Sequence, residues 1–302
     1  MELAEVYRVV YEKGPDDKLR GTIVCKDKTN GCHDLFNGKA LDDDTTFEDN
    51  TFEGNKDDEN TSEGYNDDMP LSLISKPNLR SMRRVPLIRS LDHIIPNGPS
   101  KASICAKNGF SVNINLFGVI FEEVTIEYPR HDMLSTPLTE DLLSEDGTRY
   151  LTLFYAIFEN AVEAHVSVTL TNYSDPFYLY GVIAARTSAI DDRAYSSLIF
   201  LKGHGEKMKV GTGHDIPIPF SRHIVAVPLK SQLILEFSLN ASNNVKEIED
   251  GDKMVQRIVI FDAKRDGRND YLIDFVEKTG EVKVKVEWKS VRKPREPEAQ
   301  AN

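Results

Sequence analysis

Val162-Glu-Ala-His-Val-Ser-Val-Thr-Leu-Thr171 alternates without a break. Val162, Ala164, Val166, Val168 and Leu170 are apolar, and Glu163, His165, Ser167, Thr169 and Thr171 are polar. A period of two puts each set on its own face of a β-strand. On a helix the same apolar residues would scatter around the circumference. The stretch therefore predicts a strand with one face packed and the other in water.

Similar segments run through the chain. Glu5 to Tyr11 and Leu19 to Cys25 are strand-like, separated by the turn residues Gly14-Pro15-Asp16-Asp17. Strands resume at Ser103 to Ala106 and Phe110 to Tyr128, and are densest from Tyr150 to Phe200. Leu151 to Phe158 is apolar on both faces, as a central strand is. Further strands are expected at 223–227, 232–239, 255–261, 271–276 and 282–288. Thr139 to Leu143 reads as one short helical turn, and Gly203 to Asp215 as a glycine-rich loop. About a dozen short strands with almost no helix predict an all-β fold, an antiparallel β-sandwich.

A weak echo links two parts of the chain. Leu19-Arg-Gly21-Thr-Ile23 and Leu179-Tyr-Gly181-Val-Ile183 share Leu-x-Gly-x-Ile. We expect a single β-rich domain over 1–291, built of two half-repeats, 1–128 and 150–291.

The net charge of −12 on 302 residues is concentrated. Asp42 to Asp68 holds twelve acidic residues against one lysine, so the rest of the chain is nearly neutral. This segment has few aliphatic residues and reads as a disordered acidic insertion. The basic stretch Arg80 to Arg89 is placed to neutralise it. Residues 292–302 read as a frayed tail. A nearly neutral remainder has no clustered basic face for nucleic acid.

Three cysteines, Cys25, Cys32 and Cys105, cannot all pair within the chain, which suits a reducing compartment. The N-terminus has no basic start followed by an apolar run, so no signal peptide is expected. No apolar run reaches the ~20 residues of a membrane span. Asn60, Asn172 and Asn240 match the glycosylation pattern, which matters only in a secreted protein. The expected location is cytoplasmic or nuclear.

Candidate chemistry is sparse. Cys25, Cys32 and His33 are close, but a structural zinc site wants four ligands, and only Cys105 or a distant histidine could complete the set. Small buried or loop thiols are the simpler reading. His204, His214 and His223 match no metal spacing. The glycine-rich loop is followed by Ile216-Pro217-Ile218-Pro219, which forbids the helix that a phosphate loop needs. Asp262, Asp266 and Asp270, with Asp250 and Asp252 upstream, are weak candidates for a calcium ion at the sandwich ends. Turn formation is the simpler reading. No nucleophile elbow, zinc-protease helix or Walker loop occurs.

Four pieces carry a resemblance: Asn160 to Val168, Tyr180 to Ile190, Ser221 to Leu229 and Glu281 to Trp288. They resemble a large plant domain family, expanded in grasses and named only as a domain of unknown function, DUF6598. The likeness is good from about Tyr150 to Val291 and weaker from Glu5 to Tyr128. It implies a fold and a plant origin, with no catalytic residues. Members of that family are sometimes joined to ribosome-inactivating proteins, whose helix carries Glu-Ala-x-Arg-Phe. The nearest string here is Glu163-Ala164-His165-Val166-Ser167, on a strand and without the arginine. No general-acid pair for depurination is expected.

The function expected from these observations is a non-enzymatic interaction module with an unknown protein partner. It uses no cofactor and binds no nucleic acid, and a role in stress or defence is implied. The alternatives are an rRNA N-glycosylase relative and a calcium-dependent ligand or membrane binder.

Overall fold

The computed structural model describes residues 2–12, 20–29, 31–39, 91–94, 96, 98, 102–121, 123–128, 130–173, 175–242, 253–274 and 280–290. These all fall in one unit made of Met1–Thr45 and Ser90–Asn302. The acidic insertion 42–68, the basic stretch 80–89 and the tail 292–302 lie outside the described residues.

The first ten strands build two sheets. They are β1 (Leu3–Glu12), β2 (Arg20–Asp27), β3 (Gly31–Lys39), β4 (Leu91–Ile94), β5 (Ile104–Cys105), β6 (Phe110–Leu116), β7 (Val119–Ile120), β8 (Val124–Ile126), β9 (Leu138–Leu143) and β10 (Tyr150–Phe158). One sheet has the order β4-β1-β10-β9 with β5 on β1, and the other β3-β2-β6-β7 with β8 on β6. Ten more follow: β11 (Ala161–Asn172), β12 (Phe177–Thr187), β13 (Ser197–Lys202), β14 (Met208–Val210), β15 (Gly213–Pro217), β16 (Ile224–Pro228), β17 (Gln232–Ser242), β18 (Lys253–Asp262), β19 (Gly267–Asp274) and β20 (Gly280–Lys289). They give β15-β11-β20-β19 with β16 on β11, and β13-β12-β17-β18 with β14 on β12. All named pairs are antiparallel.

The two four-strand orders of the first half match those of the second strand for strand. Each half is a sandwich with its own core. Ile23, Val112, Ile114 and Leu153 lie in the first core, and Val166, Ile183, Leu235 and Val284 in the second. The alternation from Val162 supplies the inner face of β11, whose apolar set is buried throughout. Trp288 is buried in the second core and donates its indole N–H to Asn269 Oδ1 at 2.9 Å. A third cluster joins the halves: Leu3, Tyr7, Ala156 and Phe158 pack with Ala161, Ile190, Tyr195 and Ala226.

The Leu-x-Gly-x-Ile echo falls at equivalent places. Gly21 on β2 pairs with Leu116 on β6, and Gly181 on β12 pairs with Leu239 on β17. Both have positive φ, +144° and +123°. In each, the backbone oxygen of the residue before that partner, Asn115 or Ser238, occupies the space a Cβ would fill. Two residues later both ladders slip, between Ile23 and Val24 against β3 and between Ile183 and Ala184 against β13. Close backbone approach beside a bulge requires glycine there.

Three expectations are corrected. Thr139 to Leu143 is not a helical turn. It lies in strand β9, paired with β10 from Leu138↔Tyr155 to Leu143↔Tyr150, because a free edge of β10 recruits it. Tyr150 to Phe158 does not open the second half. As β10 it pairs with β1 and completes the first sheet. The segment Gly203 to Asp215 is not one loop. It holds a 3₁₀ turn at His204–Glu206, strand β14 and the start of β15.

Candidate functional site

The richest polar cluster lies where the halves meet. Glu5 is the third residue of β1, and Glu163 is the third of β11. On β11, Glu163 pairs with Ala226 of β16. On β1, Ala4 pairs with Ile104, so the next step along that ladder brings Ser103 opposite Glu5. Each carboxylate then reaches across the junction to the other's neighbour. Glu5 Oε2 accepts from the Ala226 N–H at 3.1 Å, and Glu163 Oε1 accepts from the Ser103 N–H at 2.6 Å. The short strands β5 and β16 sit beside β1 and β11, and these carboxylates satisfy backbone donors there that would otherwise be buried without a partner.

The two carboxylates differ in their charge partners. Glu5 is buried against Arg222, also buried, with Arg222 Nη2 2.5 Å from Glu5 Oε1. Arg222 also donates Nε–H to the Ile224 carbonyl at 3.0 Å and Nη1–H to the Val6 carbonyl at 2.9 Å. Ser197 Oγ donates to Glu5 Oε1 at 2.7 Å. Burial pushes the Glu5 carboxyl above its ordinary value despite the Arg222 charge and the hydrogen bonds. Burial, with the Glu5 charge, also pushes the Tyr7 phenol well up.

Among the described residues no arginine pairs with Glu163. Its Oε2 lies 3.0 Å from His165 Nε2, and the His165 ring is 6.4 Å from that of His223. Burial works against the Glu163 carboxylate. The bonds from His165 and the Ser103 N–H, with the His165 and Lys289 charges, outweigh it and hold the carboxyl below the usual 4.5. A depressed folded pKa adds stability above 4.5 that is lost as pH falls through the folded value. The urea midpoint of the wild type should therefore fall more steeply between pH 5 and pH 3 than that of Glu163→Gln. Parallel curves would deny Glu163 that role.

This placement corrects the expectation of a fully wet outer face on β11. Glu163 is only 6% exposed, because the first half covers the start of the strand. Its oxygens are occupied by a backbone N–H and by His165. The strand setting expected from the sequence is what the structure has.

The other flagged residues are dispersed. Cys25 pairs with His33 across β2 and β3, and Lys26 with Cys32, so Cys25 and His33 share the inner face while Cys32 is on the outer. Cys25 and Cys105 are buried and Cys32 is exposed, all as free thiols. Burial and the neighbouring Asp27 charge raise the Cys25 thiol. Asp27 Oδ2 lies 2.9 Å from His33 Nε2 and accepts the Cys105 N–H at 2.8 Å, while its Oδ1 accepts the Thr29 N–H at 2.7 Å. Asp27 thus ties the β2–β3 hairpin to β5. His204 rests edge-on against Tyr180, and His214 against Tyr173.

The three aspartates do not converge. Asp262 accepts from Gln232 Nε2 at 2.8 Å, Asp266 from the Ser290 N–H at 3.1 Å, and Asp270 from Arg268 Nε at 2.9 Å. Among the described residues no group of three or more His, Cys, Asp or Glu side chains is arranged to hold a metal ion. Asp250 and Asp252 lie outside them. Two shallow depressions lie beside β6 and β7 and share Ile120, one lined with Gly118 and Asp146, the other with Thr22 and Asn113. Among the described residues no helix is long and apolar enough to cross a membrane.

The model of a family described as a domain of unknown function, DUF6598, matches residues 89–286. The chain belongs to the DUF6598 family. The match takes in β4 to most of β20, and so includes Glu163 and Arg222 but not Glu5. No curated protein matches this DUF6598 chain. Among solved structures it is similar to human GIVD cytosolic phospholipase A2, at 8% identity and a TM-score of 0.25. That alignment covers 97% of this chain and 33% of the other, so the chain spans about a third of its length.

Sequence reasoning missed Glu5, Ser103 and Arg222 as members of this cluster. The one available signal was that Glu5 and Glu163 are both charged residues early in a strongly apolar strand. Ala226 is 221 residues from Glu5, so spacing along the chain carries no trace of the contact.

Proposed function

We propose that this DUF6598 chain is a non-enzymatic interaction module whose buried polar seam holds two sandwiches together and whose edge strands meet a protein partner. One observation carries the reading. Ile258, Ile260, Tyr271 and Leu272, on the neighbouring strands β18 and β19, are each about half exposed or more. Natural edge strands are usually blunted with charge, and apolar side chains on an open edge are a feature of interaction sites. The seam has the opposite character, with its carboxylates consumed by internal donors.

The free thiols Cys25, Cys32 and Cys105 support a cytoplasmic or nuclear location. The matched strand orders support reading the halves as repeats of one sandwich. A stress or defence role in a plant rests on the resemblance alone.

The test pairs cross-linking with an activity assay. A variant carrying Ile258→Asp and Leu272→Asp should lose the cross-linked partners of the wild type while keeping its melting temperature. Purified wild type should leave the large ribosomal RNA intact. Specific adenine removal that disappears in Glu163→Gln would overturn the reading in favour of an N-glycosylase.

A further inference from the structure

We propose that β18 is a self-association edge, and that its occupant is the β18 strand of a second copy of this chain. The inference rests on the reading of the chain as an interaction module. Among the described residues β18 pairs with β17 alone, which leaves the other side of a ten-residue strand without a ladder partner. Such an edge is a template for another strand.

The side-chain pattern of β18 favours a copy of itself. Gln256, Ile258, Ile260 and Asp262 form one outward row, opposite Ser238, Glu236, Ile234 and Gln232 of β17. All four are exposed, Ile258 by 56% and Ile260 by 53%. Two copies meeting edge to edge about a two-fold axis perpendicular to the sheet keep outward residues opposite outward residues. With the axis at Val259, Ile258 faces Ile260 of the second copy, and Gln256 faces Asp262 of the second copy. Each pairing occurs twice. The two isoleucine pairs close into one apolar patch. The Gln256 amide can donate to the Asp262 oxygen that Gln232 leaves open, since Gln232 Nε2 donates to Oδ1. Moving the axis to Ile258 would set Gln256 against Ile260, leaving one isoleucine pair in place of two and losing the Gln256–Asp262 match.

On the inner row, the same register sets Val259 against itself on the axis and Val255 against Ala263. Between Val255 and Ala263, Arg257 is the one charge on this row that could resist pairing. It is exposed, and in this register it falls opposite position 261 of the second copy rather than another arginine.

The register makes a charge-swap test possible. Sedimentation velocity on the full chain should show a reversible dimer at roughly 100 μM, a level typical of weak interfaces. Ile258→Lys with Ile260→Lys sets like charges opposite each other, and should raise the dimer dissociation constant at least ~10-fold with an unchanged melting temperature. Ile258→Lys with Ile260→Glu sets opposite charges across the axis. It should retain the dimer, now weakened by added salt. A wild type that stays monomeric at that concentration overturns the proposal. So does a dimer insensitive to both variants, or one lost in both. A monomeric wild type that still loses cross-linked partners when β18 and β19 are substituted would leave the interaction reading standing, so the two failures are distinguishable.

Discussion

Arg222→Ala should cost the chain about 3–5 kcal/mol of folding stability, the usual loss when one member of a buried ion pair is removed. The substitution leaves Glu5 at 1% exposure with a charge and no cation, and strips donors from the Val6 and Ile224 carbonyls. The loss should depend on pH in a definite direction. A carboxyl whose folded pKa is raised above the unfolded 4.5 contributes stability that is complete below that value. That stability is lost as pH rises through the folded pKa. Removing Arg222 raises the folded pKa of Glu5 further, so the variant should be weakest at neutral pH and recover toward pH 5. Glu5→Gln with Arg222→Met, which removes both charges, should be much less damaging than Arg222→Ala alone. Urea unfolding at pH 5 and pH 7.5 reads all three. A loss under about 1 kcal/mol for Arg222→Ala at neutral pH would mean that the pair does not stabilise the seam.

Gly21→Ala and Gly181→Ala should each destabilise by about 3 kcal/mol or more. A positive φ alone costs an L-residue on the order of 1–3 kcal/mol. Here the new methyl would also run into backbone, the Asn115 or the Ser238 carbonyl, which cannot swing aside as a side chain can. Gly147→Ala is the control. It too has positive φ, +69°, but nothing lies within 4 Å of its Cβ position, so only the conformational cost of about 1 kcal/mol applies. Equal losses at all three positions would show that φ alone matters and that close approach across β2–β6 and β12–β17 does not.

These glycines also show how far the sequence could be read. Leu-x-Gly-x-Ile is local, five residues long and repeated, and it marks the bulged, closely approached point in each sandwich. The alternation from Val162 likewise announced its strand, because period two is a local property. Thr139 to Leu143 was misread because Leu-Thr-Glu-Asp-Leu-Leu has no strong period of its own. Its strand state comes from β10, a tertiary effect. The division into 1–128 and 150–291 failed at β10 for the same reason. Nothing within Tyr150 to Phe158 says that its partner is β1, some 140 residues earlier. The seam was least legible of all. Glu163 looked like an ordinary outward residue of an alternating strand, and only docking of the first half turns that part of the face inward.

The account makes the seam a lock between the sandwiches, and native-state hydrogen exchange at two amides tests this most directly. The Ser103 and Ala226 N–H groups are each capped by a carboxylate from the opposite half. Both should exchange as slowly as the core amides of β11 and β12, because freeing them requires the halves to part. Glu163→Ala, which removes the acceptor, should speed exchange at Ser103 while leaving Ala226 slow. Rapid exchange at both amides in the wild type, with both cores still protected, would contradict the account, because the halves would then separate without unfolding.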